Sequence, residues 1–275
     1  MVKFSNKMVG IFTIAEVGLN HNGSLKSALD HVSAAKSSGC DAVKFQTYIT
    51  EKRIQDPSSP FRDLLKSLEL TYEEFTEIKQ FCDELGIEFF STAFDSEAVT
   101  FLREIGVDLF KVSSFDTSNS DLFEALIGNA KRLIFSTGMT DEATIKLLTN
   151  KLLPNVDALG VLHCVSSYPT PIEHARLSNV AYLKNLLNNV VIGYSDHTQG
   201  ILAPSVAVGM GAQIIEKHFK VTDDHECIDA PVSIGPSDMS RMVASINESY
   251  QMVGEVYFGV SELEQGATVF KRKSL

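Results

Sequence analysis

The chain alternates strand-like and helix-like stretches with a regular beat, and it does so eight times in 275 residues. The strand-like runs are residues 11–17, 42–46, 87–91, 109–112, 132–136, 158–164, 190–194 and 212–218. Each leads into a stretch with helical apolar spacing: 25–36, 72–84 after a long loop, 96–104, 121–127, 141–149, 177–187, 201–210 and 237–253. Parallel strands cannot be joined by tight turns, so this alternation calls for a parallel sheet with helical crossovers. Eight units in this length predict an α/β fold closed into a single-domain (β/α)8 TIM barrel over residues 1–255. Ser24, Thr71, Ser96, Thr140 and Ser237 are the expected helix N-caps. Residues 256–275 read as a turn-like tail that ends on a basic cluster, Lys271-Arg272-Lys273.

Composition narrows what such a barrel does. Hydrophobic residues make up 44% of the chain, enough for a continuous core. The formal charge of −11 argues against a nucleic-acid partner, because phosphate backbones need a basic face. A small anionic substrate is still compatible, since a few local cations hold it. Cys40, Cys82, Cys164 and Cys227 fit no zinc or disulfide spacing and read as small buried hydrophobes in a reducing cytoplasm. The charged first nine residues do not read as a signal peptide, and no run is long enough to span a membrane.

In a (β/α)8 barrel the chemistry sits at the C-terminal ends of the strands. Those ends are polar nearly throughout: Glu16; Lys44 and Gln46; Ser91, Thr92 and Phe94; Lys111, Ser113, Ser114 and Asp116; Ser136, Thr137 and Gly138. The sixth to eighth add His163, Ser166 and Tyr168, then Ser195, Asp196 and His197, then Glu216, Lys217 and His218. Polar groups at one rim are costly unless partnered, which favours function over structure for the set. Lys44 and Lys111 with several hydroxyls and the turn Ser136-Thr137-Gly138 compose a phosphate site. His197 and His218 close adjacent strands and could hold one divalent cation. His163 and His197 each also fit a core histidine satisfied by backbone. Asp223-Asp224-His225-Glu226 reads as a solvated loop, and Asn20-His21-Asn22-Gly23 as either a tight turn or a contact to a polyhydroxyl substrate.

Several of these segments resemble the sialic acid synthase family, the phosphoenolpyruvate-dependent nonulosonate synthases. They are Ala15 to Gly23, Asp41 to Gln46, Ser136-Thr137-Gly138-Met139, His163-Cys164 with Tyr168-Pro169-Thr170-Pro171, Gly193 to Thr198, and Glu216-Lys217-His218-Phe219, in the family's order over nearly the whole chain. The resemblance implies condensation of phosphoenolpyruvate with the open-chain aldehyde of an N-acylated amino sugar, N-acetylmannosamine or a related hexosamine. It implies a divalent metal at His197 and His218, manganese first, with magnesium or cobalt as alternatives. It assigns phosphoenolpyruvate to Lys44, Thr92, Lys111, Ser114, Ser136 and Ser195, and the sugar to Glu16, Gln46, Phe94, Tyr168 and Asp229. Asp116 is the expected group for the attacking water, alongside Lys44 and Lys111 as catalytic residues. A homodimer is the family expectation, and the tail resembles the start of a linker to an antifreeze-like domain. The chain departs from the family at Ser113-Ser114-Phe115-Asp116, at Ser166 and at Cys227-Ile228-Asp229-Ala230, all on the sugar side, so the expected acceptor includes amino sugars other than plain N-acetylmannosamine. Two competing readings are a Schiff-base aldolase using Lys44, Lys111 or Lys217, and a barrel that binds these ligands without turnover. A synthase for phosphorylated aldoses would need a further basic cluster.

Overall fold

The computed structural model describes residue 4 and residues 10–272. Its strands are β1 (Phe12–Gly18), β2 (Ala42–Thr47), β3 (Glu88–Ala93), β4 (Leu109–Val112), β5 (Arg132–Ser136), β6 (Ala158–Cys164), β7 (Val191–Asp196) and β8 (Ile214–His218). They pair in parallel and in chain order, and β8 closes on β1 to complete the barrel. The helices are α1 (Leu25–Ser37), α2 (Thr50–Arg53), α3 (Arg62–Leu68), α4 (Tyr72–Leu85), α5 (Ser96–Glu104), α6 (Ser120–Leu126), α7 (Glu142–Leu152), α8 (Ser178–Leu186), α9 (Leu202–Gly209) and α10 (Pro236–Val253). The (β/α)8 barrel expected from the alternation is the fold. None of the helices is long and apolar enough to cross a membrane.

One continuous apolar core lies between barrel and helices, with Phe45, Phe75, Phe90, Phe110 and Phe135 among its fully buried members. Strand residues alternate between this layer and the barrel interior, because the pleat has a period of two. That alternation decides which polar group at a strand end reaches the mouth.

Three expected helix starts move. Asp95, not Ser96, caps α5 by accepting from the Ala98 amide, and Asp141, not Thr140, caps α7 by accepting from Thr144. A carboxylate next to a hydroxyl serves the positive helix start better. α10 begins at Pro236 after Gly235 rather than at Ser237, proline being suited to a first position whose amide has no partner. Ser24 and Thr71 cap as expected, Thr71 in a reciprocal box with Glu74. The long loop before α4 contains α2 and α3, which are too short to show a helical period. A 3-10 helix, Glu262–Phe270, lies in the tail that reads as turns.

Candidate active site

The strand ends open into a cavity of about 300 Å³. Its floor is a set of buried charges. Lys44 Nζ lies 2.8 Å from Glu16 and 3.7 Å from Glu216, and donates to Thr92 Oγ1 at 3.1 Å. Lys111 Nζ lies 3.8 Å from Glu216 and donates to Ser136 Oγ at 2.7 Å. Ser195 Oγ donates to Glu216 at 2.8 Å. Strand register brings these together: Glu16 is level with Lys44, Thr92 with Lys111, and Ser195 with Glu216. Ser114 completes the set beside the turn after β5, where the Gly138 amide donates to its Oγ at 3.0 Å. A side chain at Gly138 would collide with Ser166 Oγ and Ser114 Oγ, so the turn needs glycine.

Burial and charge split the two carboxyls. Burial raises the Glu16 carboxyl above its ordinary value, with Lys44 opposing. Burial acts likewise on Glu216, but Lys111 and Lys44 outweigh it and hold that carboxyl at about 2. Burial lowers Lys111, whereas Lys44 is raised against burial by Glu16 and Glu216. Carboxyls pushed apart in this way can divide roles, one keeping its charge and the other exchanging a proton.

His197 and His218 stand on one wall, ring centres 5.3 Å apart, and Tyr168 covers both at 4.1 and 5.8 Å. The Val165 carbonyl accepts from His197 Nδ1 at 2.8 Å, which leaves the Nε2 lone pair for the cavity. His218 Nδ1 lies 3.4 Å from Asp229, which with Glu16 raises its pKa against the effect of burial. Two buried imidazoles on one wall fit a divalent cation. Among the described residues no group of three histidine, cysteine or carboxylate side chains could hold one, so water or substrate would supply the other ligands.

The outer rim holds Gln46, Phe94, Tyr168 and Asp229, and also Arg53, Leu19, Leu65, Phe115 and Ile228. Every residue expected for phosphoenolpyruvate, sugar or metal lines this cavity. Asp116 is not among the lining residues; its carboxylate accepts from Ser113 Oγ at 2.5 Å. Lys217 faces the other side of β8, fully buried, 2.8 Å from Asp196 and donating to the Thr198 carbonyl. Strand-end position alone made it an aldolase candidate, and the pleat removes it. Cys164 is buried as expected but lines the cavity, 3.8 Å from His197 Nδ1, because β6 turns it inward. Arg53 was missed altogether, its signal being only a basic residue in a loop.

The remaining candidates are structural. His163 Nε2 donates to the Ala175 carbonyl at 2.8 Å, the backbone-satisfied core histidine. Asn20 is fully buried and ties down the segment after β8. Its Nδ2 donates to the Phe219 carbonyl at 2.8 Å and to Ser233 Oγ at 2.9 Å, and its Oδ1 accepts from the Asp229 amide at 3.2 Å. The 20–23 loop is therefore a turn and a brace, with Gly23 at φ +68° where a side chain would strike the Ser67 carbonyl. Within the 223–226 run, the His225 ring donates to the Asn20 carbonyl at 2.7 Å, while Asp223, Asp224 and Glu226 are exposed.

The chain is similar to several known proteins. The chain is 41% identical over 261 residues to an uncharacterized protein of Methanocaldococcus jannaschii, covering 92% of this chain and 76% of that one. It is 36% identical over 282 residues to N,N'-diacetyllegionaminic acid synthase of Legionella pneumophila, covering 96% and 79%. The crystal structure of an N-acetylneuraminic acid synthetase from Leptospira borgpetersenii, in complex with citrate, superposes with a TM-score of 0.92 at 32% identity, covering 98% of this chain and 95% of that one. The NeuB family model matches residues 31–257, and with most of its length so matched the chain belongs to the NeuB family.

Proposed function

We propose that this enzyme condenses phosphoenolpyruvate with the open-chain aldehyde of an N-acylated amino sugar, giving a nonulosonic acid and phosphate. The observation that carries the reading is the meeting, in one cavity, of two buried lysines ringed by hydroxyls with two histidines on one wall. Lys44 and Lys111, with Thr92, Ser114, Ser136 and Ser195, hold the phosphate and carboxylate of the donor. His197 and His218 would hold a divalent cation, manganese by expectation, which would supply Lewis-acid polarisation of the aldehyde. The enol carbon then forms the new bond to the aldehyde carbon, and positive charge develops at the adjacent carbon. Water adds there, one of its protons passing to the former aldehyde oxygen and the other leaving with phosphate, which departs with the bridging oxygen. Glu16 suits the proton transfer, since it lines the cavity and burial raises its carboxyl, whereas Glu216 stays charged between the lysines. Asp116, outside the lining, acts through Ser113 and the shape of the turn.

Gln46, Phe94, Tyr168 and Asp229 form the sugar side, together with Glu16. Relatives named for legionaminic, pseudaminic and N-acetylneuraminic acids share this product class and differ in the sugar. The test is phosphate release from bridge-labelled phosphoenolpyruvate with a panel of N-acylated hexosamines, with manganese or with EDTA. Metal-dependent release is expected, with the label in phosphate and a product mass of sugar plus pyruvate. Chelator-insensitive turnover with borohydride trapping of a lysine would instead establish the aldolase.

A further inference from the structure

Arg53 is a cation that the donor site does not use. It ends α2, and its guanidinium carbon stands 3.7 Å from the Phe94 ring centre and 4.9 Å from that of Tyr48. Arg53 Nη1 donates to Gln46 Oε1 at 3.3 Å, and the same amide's Nε2 lies 3.5 Å from Glu16. Gln46 therefore has its oxygen toward the arginine and its nitrogen toward the glutamate, which fixes the orientation of both. α2 is itself anchored, since the Thr50 amide donates to Glu69 at 2.8 Å and Lys52 pairs with Glu97. The Phe94 and Tyr48 rings beside Arg53 belong to a small apolar cluster with Leu19, Leu65 and Leu68, and the Asp116 carboxylate is close enough to act on the guanidinium.

We propose that Arg53 receives the acyl carbonyl of the acceptor sugar and so makes an N-acyl group a requirement of this enzyme. A guanidinium that is stacked on one ring and bonded along one edge keeps further N–H donors for a ligand. Its environment selects the kind of ligand. A phosphate would call for several cations and hydroxyls, as around Lys44 and Lys111, and here there is one cation among aliphatic and aromatic side chains. An amide with a methyl tail meets both features: its oxygen takes the N–H groups and its methyl takes the apolar wall. The aromatic stack holds the fork in place, which limits the side-chain ordering lost on binding.

This inference rests on the condensation reading, and its test separates the two. Wild type, Arg53→Leu and Arg53→Lys are compared on paired acceptors: N-acetylmannosamine with mannose, and 2,4-diacetamido-2,4,6-trideoxymannose with its 4-hydroxy counterpart. The KM for phosphoenolpyruvate and the melting temperature are followed alongside. A lost charged hydrogen bond to a carbonyl should lower kcat/KM of Arg53→Leu for an acylated acceptor by about ten- to a hundredfold, leaving its hydroxyl counterpart within about twofold. Arg53→Lys should recover part of the loss, and the donor KM should not move. Equal losses on both members of both pairs would overturn the assignment. A wild-type protein that releases phosphate with none of the acceptors would overturn the condensation reading, and this inference with it.

Discussion

Two lysines on the strands that flank β1 carry opposite lessons about what a charged residue at a strand end does. Lys44 turns into the barrel, meets Glu16 and lines the cavity. Lys217 turns outward into the helix layer and meets Asp196, whose other oxygen accepts from Tyr194 and from the Thr198 amide. The second pair is fully buried with every charge answered, so removing one partner strands the other. Lys217→Met should cost about 3–5 kcal/mol in denaturant unfolding, the usual result of unpairing a buried ion. Phosphoenolpyruvate affinity of the protein that remains folded should be unchanged, as measured by calorimetric titration. A large fall in affinity with stability intact would return Lys217 to the site.

At the scale of elements, the first loop and the last strand depend on one another although they are distant in sequence. Asn20 after β1 holds the segment after β8 by three hydrogen bonds, and Asn22 adds a fourth by donating to the Glu226 carbonyl at 2.8 Å. The segment so held carries Asp229. Asn20→Ala should cost about 1–3 kcal/mol, the range for buried groups left unpaired, and speed amide exchange over residues 225–235. The sugar KM should rise more than the donor KM. This brace also marks the limit of what was legible in the sequence. The strand–helix beat is a local pattern, so eight units and a closed barrel follow from it directly. The pleat then orders Lys44, Lys111, Ser195 and Glu216 toward the mouth. Partners across some 200 residues, such as Asn20 with Asp229, leave no local trace. Neither does the placement of a four-residue helix like α2, which is why Arg53 escaped notice. Asp116 and Lys217 stand outside the cavity lining for a related reason: proximity to a strand end does not say which way a side chain faces.

For the whole molecule, pH enters through buried histidines as well as through the site. His21 lies in the first loop and His31 on α1, with the His31 and His225 ring centres 5.3 Å apart. Burial pushes His21 down to about 3 and His31 to about 4. Both are held neutral in the fold, while the unfolded chain protonates them near 6.5. Their contribution is therefore fully present above pH 6.5 and is lost as pH falls toward 4. By proton linkage each withdraws roughly 2 kcal/mol at pH 5. Urea unfolding between pH 7.5 and 4.5 should show that decline, and His31→Leu should flatten it by about half. The charge of −11 acts on a different process. Because Lys44 and Lys111 already face Glu16 and Glu216, the cavity floor presents little outward field, and beyond a Debye length of about 8 Å an approaching anion meets mainly the acidic exterior. Donor capture is then an exchange of counter-ions inside the protein: the lysines change partners over the last few ångströms, and the carboxylates they release are left to be neutralised by whatever arrives with the anion.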